Sequence, residues 1–314
     1  MPTTQLLRCL LVVSVLGLGL GLPASPAHGQ TAPGRHTTPQ DANAAFDAAL
    51  AAGNRGAVDG LLDPEFSWIF PDGSFYGRSD TLLAMPPSAT SKTGQPARLA
   101  ERAYGRVRVL EVSSALMMGL RVWVQRAEGW RLIHINELQA APPRDSATAP
   151  AAPATPAYRD TVAVPDCSNP CESVPYVPTT PRSRDALRSW QQQELGSHLM
   201  DMTLWGSYVT DNWVSQRGGS PAQTKDARIR ETNRRAGQGV TRSAQATVLQ
   251  MRLTDLDDAV LMVSLTQVLR GRPEYRSRIF VHDGTRADGG PRYKMAESYG
   301  QVVADSAAFE RVRN

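Results

Sequence analysis

The stretch that decides the fold in the first half of this 314-residue chain is Arg121-Val-Trp-Val124, followed after a short connection by Trp130-Arg-Leu132. Branched and aromatic residues fill both runs, and Ala127-Glu-Gly129 between them is typical of a turn. The pattern predicts two neighbouring strands paired as a hairpin.

Helical patterns precede this hairpin. Thr38 followed by Pro39 and an acid in the first turn is typical of a helix start, and Phe46 and Leu50 recur at helical spacing. A strand is predicted over residues 66–70, a short helix over 79–85, and strands over 102–112, 114–120, 121–126 and 130–138. Helices first and a strand meander afterwards predict the α+β class.

The second half repeats this order. A helical region is predicted over residues 183–205, and strands over 247–253, 259–269, 275–281 and 293–303. Three blocks align by eye: residues 115–120 with 259–265, residues 121–124 with 278–281, and residues 130–132 with 293–295. Three blocks in the same order predict an internal repeat.

Further motifs connect both halves to a known family. The first half carries Leu61-Leu-Asp-Pro-Glu-Phe-Ser-Trp68 and Pro71-Asp-Gly73, and the second carries Tyr208-Val-Thr-Asp-Asn-Trp213. With the strand blocks, these make each half resemble the ketosteroid-isomerase and nuclear-transport-factor-2-like superfamily, in its SnoaL-like branch. The resemblance implies two cone-shaped domains, each a curved antiparallel sheet wrapped around N-terminal helices. It also implies a mostly apolar pocket, a small apolar ligand, and sheet pairing within the chain or between two copies.

The eye alignment leaves residues 266–276 of the second half without a counterpart between Leu120 and Arg121. We therefore expect the first sheet to lack a hairpin that the second has. A shortened sheet would open or remove one wall of a pocket in the first half.

The N-terminus predicts export. Arg8 precedes an uncharged apolar stretch over residues 9–22, and the small residues Ala27 and Gly29 predict cleavage before Gln30. No other segment approaches the length of a membrane helix. Localisation is expected to be periplasmic or extracellular. The predicted division is signal peptide 1–29, flexible N-terminus 30–37, first domain 38–139, Pro/Ala-rich linker 140–181, second domain 182–304 and C-terminal tail 305–314.

Two cysteines remain after the signal, Cys167 and Cys171, on either side of Asn169-Pro170. In an oxidising compartment a tight turn there favours a disulfide. A metal site is disfavoured because there is neither a second cysteine pair nor a nearby histidine, and a redox-active pair is disfavoured because prolines follow where a helix would be needed.

The candidate pocket residues come from strand alternation, since every second side chain of a strand shares a face. This rule gives one set in each half: Arg121, Trp123, His134 and Asn136 in the first, and Arg278, His282, Glu297 and Tyr299 in the second. Convergent polar groups beside aromatic walls are what a small-molecule pocket requires. If the opposite face looks inward, the same residues are surface or interface groups, and periodicity does not decide between the two.

Glu297 occupies the position of His134 in the repeat. A carboxylate in an apolar cone acts as a base in isomerases of this superfamily. An ion pair with Arg278 on the neighbouring strand is the favoured interpretation, since cross-strand charge pairs are ordinary sheet features. The tyrosine and paired acids of the isomerases have no residue-by-residue match, so no catalytic residue is assigned.

Other chemistries lack their motifs. There is no Gly-x-Ser-x-Gly elbow, no glycine-rich phosphate loop and no His-Glu-x-x-His site, so neither cofactor nor metal is expected. The basic residues of 225–235 are interleaved with Asp226 and Glu231, and the formal net charge is only +4, which favours a solvated helix face over a nucleic-acid site. The sequence predicts a binding or interaction module, with an isomerase, cyclase or hydratase as the alternative.

Overall fold

The chain folds into two halves built from the same elements in the same order. The computed structural model describes residues 36–90, 98–140, 166–267, 272–286 and 291–303; for residue 291 it describes the backbone alone. The predicted signal peptide, the C-terminal tail and residues 141–165 of the predicted linker lie outside the described residues. No helix among those described is both long and apolar enough to cross a membrane.

Within its described residues, the first half has three helices and six strands. In chain order they are α1 (Pro39–Ala51), α2 (Arg55–Leu61), β1 (Leu62–Ile69), β2 (Phe75–Gly77), α3 (Arg78–Ala84), β3 (Arg98–Tyr104), β4 (Val107–Ser113), β5 (Met117–Arg126) and β6 (Gly129–Gln139). The side chain of Thr38 accepts a hydrogen bond from the backbone N–H of Asp41, so α1 begins at the predicted cap. Gly129, with φ of 124°, makes the turn of the β5–β6 hairpin, a conformation that favours glycine.

The second half repeats this inventory. Its elements are α4 (Pro181–His198), α5 (Met202–Ser207), β7 (Val209–Arg217), β8 (Gln223–Thr224), α6 (Lys225–Gly237), β9 (Thr247–Asp255), β10 (Ala259–Gln267), β11 (Pro273–Thr285) and β12 (Pro291–Val302). Each half is therefore α+β.

Both sheets have the same strand order, β2-β1-β6-β5-β4-β3 in the first and β8-β7-β12-β11-β10-β9 in the second. The sheets are mixed rather than wholly antiparallel, because β1 runs parallel to β6 and β7 runs parallel to β12. The expectation that the first sheet lacks a hairpin is wrong, since each sheet has six strands.

The error has two causes: two separate strands were predicted as one, and one continuous strand was predicted as two. A turn at Gly105, with φ of 58°, separates β3 from β4, whereas residues 102–112 were predicted as one strand. Conversely β5 runs unbroken through Leu120 and Arg121. The counterpart of β10 is therefore β4, and the predicted alignment of residues 115–120 with 259–265 is wrong. The other two blocks superpose, because Trp123 pairs with Leu132 as Phe280 pairs with Met295.

A β-bulge interrupts the last strand of each half. Val122 pairs with His134 but Trp123 pairs with Leu132, so Ile133 is an extra residue in β6. The second half has the same shift, which makes Ala296 the extra residue in β12. An extra residue reverses the alternation beyond it. The prediction that Arg121 shares a face with His134 is therefore wrong.

Three buried clusters follow from these faces. One lies between the helices and sheet of the first half and includes Phe46, Trp68 and Trp123. A second lies in the corresponding place of the second half and includes Trp190 and Phe280. The third joins the opposite faces of both sheets, so the two halves pack sheet against sheet within one chain. We call this third cluster the inter-sheet core.

Part of the predicted linker packs on the second half. A tight turn covers Ser168–Glu172, and Asn169 exchanges hydrogen bonds of 3.1 and 3.0 Å with the backbone of Val248. Cys167 and Cys171 are buried there and joined by a disulfide. This segment precedes α4 and packs against β9, so this part of the predicted linker belongs to the folded second half.

Candidate binding site in the second half

Arg278 lies on β11 before the bulge, so its side chain points toward α4 rather than into the inter-sheet core. Its Nη1 donates to Ser264 Oγ at 2.9 Å, and its guanidinium lies 5.0 Å from the centroid of the Trp190 ring. The residue is 6% exposed. Among the described residues no carboxylate lies within ion-pair distance of this buried cation.

Burial lowers the pKa of Arg278 to about 10, and the carboxylate of Glu194 acts in the opposite direction. The guanidinium remains charged at neutral pH. Glu194 is also occupied, because its Oε1 accepts from Trp190 Nε1 at 2.8 Å. A charge kept in an apolar surrounding without a direct counter-ion favours an anion brought from outside.

A cavity of about 410 Å³ adjoins Arg278, which is within the size range of small-molecule pockets. Helices α4, α5 and α6, strands β7, β11 and β12 and residues 244–246 surround it. The lining includes Gln193, Glu194, Trp205, Trp213, Ser215, Arg217, Arg228, Arg276, Arg278 and Met295.

Positive charge dominates this lining. Arg217 and Arg276 each form a 3.0 Å ion pair with Glu274, a neighbouring residue on β11. Arg228 on α6 has no hydrogen bond or ion pair to any residue in the described part of the chain, and burial lowers its pKa. Four guanidiniums face the carboxylates of Glu194 and Glu274, so two positive charges are in excess.

Aromatic rings form one wall of the cavity. The rings of Trp205 and Trp213 meet edge to face, with centroids 5.1 Å apart. Both are nearly fully buried, and the Nε1–H of Trp213 has no hydrogen-bond partner among the described residues. Gln193 is 6% exposed, and its Oε1 likewise has no partner in that part of the chain. Buried polar groups are ordinarily satisfied, so these two groups are free for a ligand.

The first half treats the corresponding arginine differently. Arg121 forms a 2.9 Å ion pair with Asp47, and its Nη1 donates to Asn43 Oδ1 at 2.7 Å. Its Nη2 donates to the hydroxyls of Ser88 and Thr90 at 3.3 and 3.2 Å. Its guanidinium also lies 5.6 Å from the Phe46 ring. Arg121 thus has its counter-ion inside the protein.

Core side chains occupy the space beside Arg121. Phe46, Trp68, Trp123 and Leu132 are fully buried in one cluster with the helices. The structure thus places Arg121 and Trp123 on one face of the first sheet, packed against the helices among buried core side chains.

His134 and Asn136 lie in the inter-sheet core instead of facing a cone. His134 Nδ1 contacts Ser67 Oγ at 2.8 Å, and Nε2 contacts Ser277 Oγ at 2.7 Å. Asn136 Nδ2 also donates to Ser277 Oγ, at 2.9 Å. Burial, followed by the nearby charge of Arg252, lowers the pKa of His134 to about 3. The imidazole is therefore neutral and joins the halves.

Glu297 lies at the equivalent place on β12 and also joins the halves. Its carboxylate accepts from Arg102 Nε and Nη2 at 2.8 Å each and from Tyr104 Oη at 2.7 Å, all from the first half. Tyr299 Oη donates to it at 2.8 Å. The predicted ion pair of Glu297 with Arg278 is wrong, because the bulge turns the two side chains to opposite faces.

These contacts occupy both oxygens of Glu297, and Tyr299 is buried beside it. Burial and the charge of Glu297 raise the pKa of Tyr299 well above its ordinary value. The remaining candidate, His282, is exposed and meets the Tyr293 ring edge to face at 5.9 Å. Of the four residues predicted for the second half, Arg278 alone lines the cavity. No group of three potential metal ligands occurs within the described ranges.

Sequence reasoning missed several cavity residues. Arg228 was placed on a solvated face of α6 because charges of both signs surround it in the chain. Arg276 was predictable from the sequence, since it lies two residues before Arg278 on one strand and therefore shares its face. Arg217 and the two tryptophans come from distant segments, and no local spacing indicates that they meet.

Three solved structures of nuclear-transport-factor-2-like proteins resemble parts of this chain. One, of unknown function in nutrient uptake and from Rhodospirillum rubrum, is 11% identical with a TM-score of 0.29, covering 36% of this chain and 94% of that chain. One from Cytophaga hutchinsonii is 10% identical with a TM-score of 0.29, covering 37% and 93%. One from Novosphingobium aromaticivorans, with a cystatin-like fold, is 8% identical with a TM-score of 0.32, covering 42% and 89%.

No protein-family model and no curated protein matches the chain. Identities and TM-scores this low carry no conclusion about activity. The helices packed on one face of each sheet agree with what the resemblance in sequence implies, whereas the sheets are mixed rather than antiparallel. The chain thus consists of two α+β halves with the same strand order, and parts of it are similar to solved nuclear-transport-factor-2-like structures.

Proposed function

We propose that this chain is an exported small-molecule-binding protein in which the second half holds the ligand and the first half is its packing partner. The observation that carries the proposal is the difference between the halves. A cavity of about 410 Å³ adjoins Arg278, whereas Phe46, Trp68 and Trp123 fill the space beside Arg121. A cavity of this size accommodates a small metabolite.

Binding without chemistry is the favoured form of this proposal. An isomerase needs an ionisable group with a perturbed pKa poised beside the substrate. Glu297, the carboxylate at the repeat position of His134, lies in the inter-sheet core and accepts from four donor groups. Glu194 is the one carboxylate lining the cavity within the described residues, and it already accepts from Trp190.

Export is supported by the order of charge, apolar stretch and small residues at the N-terminus. The disulfide between Cys167 and Cys171 agrees with an oxidising compartment. We expect the mature protein, isolated from the periplasm or medium, to begin at Gln30. An N-terminal sequence that retains residues 1–29 in the exported fraction, or absence of the protein from that fraction, would contradict this part of the proposal.

Retention of small molecules tests the binding function. The purified protein is incubated with the small-molecule fraction of a cell extract, separated from unbound compounds by gel filtration and examined by mass spectrometry. Ser215 lines the cavity, so Ser215→Trp blocks it, while Ser79→Trp places the same ring on an exposed site of α3 as a control. We expect the wild type and Ser79→Trp to retain compounds that Ser215→Trp does not. Equal retention by all three proteins would refute a ligand in this cavity.

A further inference from the structure

We infer that the ligand of the second half is a small organic carboxylate, bound through Arg278 and Arg228 with its apolar body against Trp205 and Trp213. This inference rests on the proposed binding function and adds the chemical class of the ligand. It comes from the cavity lining and from the contrast between the two equivalent arginines.

The first step is the missing counter-ion of Arg278. In the first half the guanidinium of Arg121 meets the carboxylate of Asp47 at 2.9 Å, one residue after the ring that stacks on it. In the second half the stacking ring is Trp190, and the residue after it is Gln191. Within the described residues, Arg278 has one hydrogen-bond acceptor, the hydroxyl of Ser264. A ligand carboxylate would supply the acceptors that Asp47 supplies to Arg121.

The second step is the charge around that position. Arg228 enters the cavity from α6 without a carboxylate partner in the described part of the chain. Arg217 and Arg276 share the single carboxylate of Glu274, so their positive charge is only partly neutralised. The two guanidiniums of Arg228 and Arg278, with Glu194 as the one carboxylate of the described lining, favour an anionic ligand.

The third step separates an organic anion from an inorganic one. Trp205, Trp213 and Met295 give the cavity an apolar wall, and about 410 Å³ is much more than a bare oxyanion fills. The unpaired Nε1–H of Trp213 supplies a donor at this wall. Flat apolar bodies gain from stacking on indole rings, which inorganic phosphate or sulfate cannot do.

The experiment is calorimetric titration of the full mature chain with small carboxylates, from acetate to benzoate and indole-3-acetate, each paired with its neutral primary amide. Inorganic phosphate and sulfate are titrated as well. We expect at least one aromatic carboxylate to bind, its amide to bind at least about tenfold more weakly, and the dissociation constant to rise with salt. Tighter binding of phosphate or sulfate than of every carboxylate would overturn the inference in favour of an inorganic oxyanion.

Two arginines on α6 give a matched pair of variants. Arg228→Gln removes the unpaired cation from the cavity, whereas Arg234→Gln changes an exposed residue paired with Glu231 on the same helix. We expect Arg228→Gln to weaken carboxylate binding at least about tenfold and Arg234→Gln to leave it unchanged. Circular dichroism and thermal unfolding of both variants establish that they fold. Equal affinities of the two variants would overturn the role of Arg228.

The extract experiment separates the two levels of inference. If the compounds retained by the wild type and lost in Ser215→Trp are carboxylates, both the binding function and the ligand class stand. If they are neutral, the binding function stands and the carboxylate inference is overturned. If nothing is retained and no carboxylate of the series binds, both fall.

Discussion

Arg121 and Arg278 occupy the same position in the two halves, and their surroundings have diverged. Arg121 is held by Asp47, Asn43 and two hydroxyls within a filled core, whereas Arg278 has one serine and an adjoining cavity. In the same fold, one arginine is paired with a carboxylate of the protein, whereas the other has no carboxylate partner among the described residues. The difference shows that a duplicated domain can keep its packing partner while a single copy retains a pocket.

The largest expected effect comes from replacing each arginine with methionine. Arg121→Met removes the buried guanidinium that binds Asp47, Asn43 and two hydroxyls, so we expect a loss of about 3–5 kcal/mol in the free energy of unfolding. Arg278→Met removes a buried cation with one hydrogen bond, so the change should stay within about 1 kcal/mol. Urea unfolding of both variants measures this contrast. Equal losses would mean that Arg278 is structural as well.

The inter-sheet core offers a second comparison, between Glu297 and His134 at equivalent positions. Glu297→Gln removes the charge that four donor groups, two of them from Arg102, approach in a buried site. We expect a loss of about 3 kcal/mol in unfolding free energy, because Arg102 is left without its main counter-ion. His134→Gln can keep hydrogen bonds to both serines and should cost less. The comparison fails if His134→Gln is the more damaging change in urea unfolding at pH 7.5.

His134 also predicts acid sensitivity. Its pKa is lowered from 6.5 to about 3 in the folded protein. Between these two pH values the imidazole is protonated in the unfolded chain but neutral in the folded one. Stability is fully present above pH 6.5 and falls as the pH drops toward 3, by up to about 1.4 kcal/mol per pH unit. Unfolding free energies measured between pH 6.5 and 4.5 should decline less steeply in His134→Gln. Parallel curves for the two proteins would contradict the assignment.

The smallest expected effect is on ligand affinity, and it tests whether the positive charge of the cavity binds the ligand. Gln193→Glu adds a negative charge to a lining residue with almost no change in shape. The new carboxylate competes with the ligand for Arg278 and Arg228, so we expect carboxylate affinity to fall about tenfold, or about 1.4 kcal/mol. Thermal stability in the absence of ligand should be unchanged or slightly higher. Unchanged affinity in titration would show that the ligand binds away from this charge.

Much of the fold was predictable from local patterns. Period-2 runs around the β5–β6 and β11–β12 hairpins indicated the strands, and their matching letters revealed the repeat. The division of strands was less predictable, because the turn at Gly105 interrupts a run of residues that all suit strands. Because that turn was not recognised, the alignment of the two halves was shifted. The shifted alignment led to the wrong expectation that the first sheet lacks a hairpin.

The site was less predictable for a different reason. Strict alternation did not decide which face of the sheet looks toward the helices. A single extra residue in each last strand also placed His134 and Glu297 on the face opposite to Arg121 and Arg278. A bulge has no spacing signature when neighbouring residues on both faces are buried. The partner of Glu297, Arg102, lies 195 residues away, so the chain order gave no indication of their contact.

The sequence by itself determined the α+β class, the repeated order of elements and the equivalence of Arg121 with Arg278, because these depend on short-range periodicity. Tertiary structure alone decided that Arg121 meets Asp47 while Arg278 borders a cavity with Arg228 and Trp213. Burial and counter-ions arise from segments that meet only when the helices close on the sheet. An arginine in a strand therefore becomes structural or available according to what the fold places beside it.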